Sequence, residues 1–167
     1  MPEYNSTNNL KAGGILNSKS YYTFSEYMKN NDNELTASME DYLEMIYRLS
    51  DHKGFTRINE LADALNVHPP SVTRMVQRLG KQNLLKYERY GVIMLKEEGR
   101  ILGKLLMSRH NTIETFLKLM GVHDNILLKE TEKIEHTLSP ETVECFEKYI
   151  SFISDNPDIL ERFNDYN

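Results

Sequence analysis

The sequence predicts a mostly α-helical fold, on three observations. Apolar residues recur at spacings of three and four through most of the chain, as on one face of a helix. Glycine (8) and proline (5) are sparse, so few stretches are broken into turns. With 40% apolar residues in a chain of 167, one or two small domains can each bury a core. The single cysteine, Cys145, excludes an internal disulfide framework and fits a reducing, cytoplasmic setting. The N-terminus has no signal-peptide hydrophobic region, and no apolar run approaches the ~20 residues of a membrane span.

Residues 1–35 are polar, with Gly13-Gly14 breaking any periodicity, and are expected as a flexible tail. Met28 is a candidate natural start within it. The first helix is expected over 37–50, with Ser38 as its cap and Glu40 and Asp41 in its first turn. Met39, Tyr42, Leu43, Ile46 and Leu49 form its apolar stripe, and Asp41 and Glu44 lie together beside it. Taken alone, that acidic pair reads as solvated charge partnered by Arg48.

Residues 51–56 turn at Gly54, and Ile58, Leu61, Ala62 and Leu65 mark a short helix with Asn59 as candidate cap. Asn66-Val67-His68 connects it to a helix that Pro69 and Pro70 introduce, since a helix start needs no amide donor. This helix, 71–81, turns Val72, Met75, Val76 and Leu79 inward and offers Ser71, Thr73, Arg74, Gln77, Arg78 and Lys81 on its other face. Leu84–Glu88 and Val92–Leu95 then read as two strands joined through Arg89-Tyr90-Gly91. Two helices joined by a tight turn and followed by a small hairpin make a winged helix-turn-helix. Ser71, Thr73, Arg74 and Gln77 are placed to reach base edges or phosphates; Arg78, Lys81 and Arg89 are candidate phosphate contacts.

One long helix or two in succession are expected over 97–120, with His110 midway and Gly121 as the stop. The helix expected over 126–138 carries Glu132-x-x-Glu135-His136, which a helix would place on one face. Ser139-Pro140 starts another helix, 140–153, on which Cys145 reads as a small buried hydrophobe. These stripes exceed what one winged helix can cover, so self-association is expected. The expected divisions are a tail at 1–35, a winged helix at 36–107, a helical domain at 108–153 and a frayed tail at 154–167. Charge divides along the same line. Residues 36–107 carry 11 Lys/Arg against 9 Asp/Glu, whereas 108–167 carry 6 against 12. The front half can face phosphates and the back half suits cations.

Ser38–Glu44, Val67–Leu79, Arg109-His110 and Ile134-Glu135-His136 together resemble the diphtheria-toxin-repressor family, and more closely its manganese-transport-regulator branch. The similarity spans roughly residues 36–153. It implies a homodimeric, metal-activated repressor that binds double-stranded operator DNA and controls manganese uptake. It also implies an all-helical metal-binding and dimerisation domain, with no SH3-like domain. By position it implies six metal ligands, Asp41, Glu44, His110, Glu132, Glu135 and His136. The iron-sensing branch has Met where Asp41 stands and Cys where Glu132 stands. Four carboxylates and two imidazoles form a hard, oxygen-rich set that suits Mn(II), up to two ions per subunit, with Fe(II) as the alternative. Two other readings compete: a metal-dependent hydrolase, for which no nucleophile or phosphate loop is visible, and a regulator sensing a small organic molecule.

Overall fold

A computed structural model describes residues 35–166; the expected N-terminal tail and the candidate start at Met28 lie outside the described residues. Seven helices and three short strands follow in order among them. The first helix, α1 (Ala37–Ser50), is capped by Thr36 rather than by Ser38. The Thr36 carbonyl accepts from Met39 N–H at 2.7 Å and Glu40 N–H at 3.0 Å, so Ser38 falls inside the first turn. Met39, Tyr42, Leu43 and Ile46 are buried as their spacing requires.

The turn after α1 ends in a strand that periodicity does not announce, β1 (Thr56–Arg57). Helix α2 (Ile58–Leu65) starts directly after it. Its N-terminus is closed by Glu60 rather than Asn59: Glu60 Oε2 accepts from Arg57 N–H at 3.1 Å and from Thr56 Oγ1 at 2.9 Å. Asn66 ends α2 in the left-handed region at φ 52°, where asparagine is tolerated. Helix α3 (Pro69–Lys81) takes both prolines into its first turn, where its amide donors have no helical partner anyway.

The wing is β2 (Leu85–Tyr87), a 3-10 turn (Arg89–Gly91) and β3 (Val92–Leu95). The sheet order is β1-β3-β2, antiparallel throughout, with Ile93 opposite Thr56 on one side and Tyr87 on the other. Gly91 has φ +73° and Tyr90 φ +65°, a left-handed pair that reverses the chain over three residues.

One unbroken helix, α4 (Glu97–Leu119), leaves the wing and runs through residue 107 into the second half. It starts in close contact with the strands: a Cβ on Gly99 would stand 1.9 Å from the Leu84 carbonyl oxygen. Leu84, Leu102 and Leu106 join α1, α2 and α3 in one core with Leu43, Ile46, Leu61, Val72, Val76 and Leu79. Beyond it lie α5 (Asp124–Ile134), α6 (Pro140–Asp155) and α7 (Pro157–Asn164). Ser139 caps α6 by accepting from Thr142 N–H at 3.3 Å, as expected from Ser-Pro. Phe116 of α4 stacks on Phe146 of α6 with ring centroids 3.9 Å apart.

Three expectations change here. Residues 157–164, expected as a frayed end, form α7, started by Pro157 at its first position. Cys145 is exposed, because the inward stripe of α6 runs through Val143 and Ile153 instead. Helix α5 stops at Ile134, so Glu135 and His136 sit in a turn and not on its face. Pro140 holds Ser139 in extended backbone (φ −69°, ψ 153°), so the chain has left the helix by residue 139.

Candidate metal centre and nucleic-acid interface

The carboxylates and imidazoles meet where α1, the middle of α4 and the turn after α5 come together. Asp41 and Glu44 arrive from α1, His110 from α4, and Glu135 and His136 from the turn. They form two overlapping groups, Asp41–Glu135–His136 and Glu44–His110–Glu135, each with its ligand atoms within 4.8 Å of one another. Glu135 belongs to both. Its Oε2 lies 2.8 Å from His110 Nδ1, and its Oε1 lies 3.6 Å from His136 Nε2. His136 Nε2 also meets Asp41 Oδ1 at 2.8 Å. Glu44, His110 and Glu135 are buried, whereas Asp41 opens to solvent.

Glu132, the sixth residue of the sequence set, is exposed on the last turn of α5 and belongs to neither group. Glu135, the C-cap of α5, and His136, in the turn beyond it, reach the groups while Glu132 does not.

Glu40 and Arg109 stand at the site although spacing gave them no role. Glu40 is buried beside His136, whose Nδ1 lies 2.8 Å from Glu40 Oε2. Arg109 Nη2 donates to the same oxygen at 2.6 Å. Two signals were available: Glu40 lies four residues before Glu44 on one side of α1, and Arg109 directly precedes His110.

Burial decides the electrostatics. Desolvation holds the Asp41 carboxyl above its ordinary range, against the pull of His136, with Glu135 and Glu40 pushing the same way as burial. Desolvation likewise raises Glu44, although Arg48 Nη2 contacts its Oε1 at 2.6 Å and His110 opposes the rise. His110 is raised chiefly by its hydrogen bond to Glu135, with burial opposing. A cation among these groups would relieve the crowding of negative charge. Three carboxylates and two imidazoles, with no sulfur in either group, fit a hard divalent ion.

The second surface is the outer face of α3. Ser71, Arg74, Gln77, Arg78 and Lys81 are exposed there, and Thr73 is half-buried with its Oγ1 donating to the Pro69 carbonyl at 3.0 Å. Arg89 falls in the wing turn, and its side chain lies outside those described. Tyr90 at the wing tip is 91% exposed, a candidate contact that its sequence context did not reveal.

A winged helix-turn-helix joined to a helical half by a shared carboxylate–imidazole cluster defines a metal-responsive DNA-binding protein. The family comparisons agree. The iron-dependent repressor N-terminal DNA-binding domain matches residues 34–93, and the iron-dependent repressor metal-binding and dimerisation domain matches residues 96–164. The chain belongs to the iron-dependent repressor family. It is 44% identical over 121 residues to the HTH-type transcriptional regulator MntR of Shouchella clausii (strain KSM-K16), covering 72% of this chain and 85% of that protein. It is 43% identical over 126 residues to MntR of Listeria welshimeri serovar 6b, covering 75% and 89%. Among solved structures, the manganese regulator SloR aligns with a TM-score of 0.60 at 31% identity, over 71% of this chain and 55% of that one. The chain is thus a transcriptional regulator of the metal-dependent repressor type and not an enzyme, which removes the hydrolase reading. Among the described residues, no helix is long and apolar enough to cross a membrane.

Proposed function

We propose that the chain is a manganese-activated repressor of manganese-uptake genes, acting as a homodimer on double-stranded operator DNA. In this reading Asp41, Glu44, His110, Glu135 and His136 hold up to two Mn(II) per subunit. The observation that carries it is Glu135, whose two oxygens face two different histidines, His110 and His136, in two different groups. A carboxylate so placed can bridge two ions or serve one ion from either side. The absence of sulfur from both groups favours Mn(II) over a softer ion, and relatives named as manganese regulators point the same way. Glu132, one turn before Glu135, completes the set by swinging inward.

Bound metal supplies the positive charge that lets these carboxylates stay ionised side by side. Asp41 and Glu44 are fixed to α1, which packs in the winged-helix core, whereas Glu135 and His136 follow α5 in the second half. Holding both sets together favours one orientation of the winged helix against the dimer. In that orientation the two α3 helices can meet successive major grooves, about 34 Å apart. The coupling is reciprocal, so operator DNA tightens metal binding by the factor with which metal tightens DNA binding. Ser71, Thr73, Arg74 and Gln77 contact base edges or phosphates, and Arg78, Lys81 and Arg89 contact phosphates.

Calorimetric titration with Mn²⁺, alongside an operator gel shift with and without the ion, tests this reading. Wild type should bind Mn²⁺ and require it for DNA binding, and Glu135→Gln should lose both while remaining folded by circular dichroism. Normal manganese dependence in Glu135→Gln would reject the site. Glu132→Gln should weaken Mn²⁺ binding without abolishing it, and unchanged affinity would leave five ligands in the set.

A further inference from the structure

His136 stands among three carboxylates that face its two ring nitrogens. Its Nε2 points to Asp41 and Glu135, inside the ligand group. Its Nδ1 points the other way, to Glu40 Oε2 at 2.8 Å. Glu40 is buried and held by Arg109, whose Nη2 donates to the same oxygen at 2.6 Å. Glu40 is absent from both ligand groups, and Arg109 already takes up its charge. We propose that Glu40 is the positioning residue for His136: it accepts the Nδ1–H and so fixes the ring with Nε2 presented to the metal.

The physical reason lies in the position of His136. It follows the end of α5, in a turn whose backbone does not dictate the direction of the ring. A ring rotated by half a turn would aim Nδ1 and Cε1 differently and remove Nε2 from Asp41. A metal-ligating histidine is commonly oriented by a carboxylate on its other nitrogen, and removing such a partner costs 10–100-fold in metal affinity. Arg109 fits this role for Glu40. Its guanidinium lies on α4 next to His110 and is equally buried, so Glu40 keeps its place whether or not the ligand groups hold an ion. The consequence is structural. Glu40 on α1 and Arg109 on α4 tie the winged helix to His136 through contacts that do not themselves need the metal.

This inference rests on the metal reading of the site, and the two can fail separately. The proteins to compare are full-length wild type, Glu40→Ala, Glu40→Gln and Glu135→Gln, each ¹⁵N-labelled at histidine. Mn²⁺ calorimetry supplies affinities. Imidazole ¹⁵N spectra of the metal-free and Cd²⁺-loaded proteins report which nitrogen of His136 carries the proton and which the metal. In wild type the metal-free Nδ1–H should be hydrogen-bonded, and Cd²⁺ should shift Nε2 alone. Glu40→Ala should lose 10–100-fold in Mn²⁺ affinity and the protected Nδ1–H signal. Glu40→Gln, whose amide oxygen can still accept, should recover the ring signature and most of the affinity. Two results would overturn the proposal: Glu40→Ala binding Mn²⁺ within twofold of wild type, or both Glu40 variants losing affinity equally with an unchanged His136 signature. If Glu135→Gln also binds as wild type does, the site reading itself fails; if only Glu135→Gln loses binding, the positioning role alone fails.

Discussion

At the scale of single residues, protons and cations compete for the same atoms. Desolvation raises Asp41 and Glu44, and the Glu135 hydrogen bond raises His110. All three shifts act in one direction on the metal-free fold. A carboxylate raised above its unfolded value costs nothing while both states are protonated; the cost grows as pH climbs past its unfolded pKa and is complete above its folded one. A raised histidine stabilises below its unfolded pKa, and that gain is lost as pH climbs through its folded one. Metal-free stability should therefore fall as pH rises from the ordinary carboxylate range past the ordinary histidine range, through these three groups, while stabilisation by Mn²⁺ grows over the same range. Thermal melts in EDTA and in Mn²⁺ at several pH values check this; a melting-point difference independent of pH would contradict it. Arg48 is a second competitor, since its guanidinium contacts Glu44 Oε1 at 2.6 Å. Arg48→Met should tighten Mn²⁺ binding by about 2- to 10-fold, between the effect of an exposed helical pair and a buried one. Calorimetry on the variant measures that directly. Asp41, Glu44, His110, Glu135 and His136 were all legible in the sequence, but their grouping rested on family likeness, because spacing joins only neighbours on one helix. Glu40 was hidden for a related reason. A first-turn glutamate reads as a favourable partner of the helix dipole, and only the packing of α4 and the turn against α1 makes it buried.

At the scale of elements, periodicity located the helices and mistook some of their ends. Stripes such as Val72-Val76-Leu79 are set by burial and are visible at a distance. Ends are set by single hydrogen bonds, and Thr36 and Glu60 displaced the more conventional caps Ser38 and Asn59. A two-residue strand such as β1 has no period at all; it exists because Thr56 and Arg57 pair with Ile93 and Val92 on β3. The start of α4 depends on absent atoms. With a Cβ at residue 99 standing 1.9 Å from the Leu84 oxygen, backbone must shift. Gly99→Ala should destabilise the fold by about 1–3 kcal/mol and lower operator affinity by tilting α4 off the wing; denaturant unfolding and a gel shift measure the two effects. On α3, Arg74 is exposed and touches nothing in the site. Arg74→Ala should cost about 1–3 kcal/mol of operator binding and leave Mn²⁺ affinity as it was. Unchanged operator affinity would remove Arg74 from the interface.

At the scale of the whole molecule, the two halves differ in how completely they cover themselves. The winged helix encloses a continuous core, whereas Met120, Ile126, Leu128, Phe152 and Phe163 of the second half remain exposed in a single chain. That asymmetry suits a domain whose family counterpart dimerises. It was legible in the sequence as apolar stripes too numerous for one small core. The opposite charges of the halves were legible too, although the net charge of −5 concealed them. Helix α4 joins the halves without a break over 23 residues, with His110 near its midpoint. It therefore behaves as a lever whose fulcrum is the cluster. At ~1.5 Å per residue the arm from His110 to Glu97 is ~20 Å long, and a tilt of about 10° moves its end by about 3 Å. A displacement of that size is roughly one base-pair step. The stiffness of a single helix thus sets how finely an ångström-scale change around one ion can be translated into the register of two recognition helices along DNA.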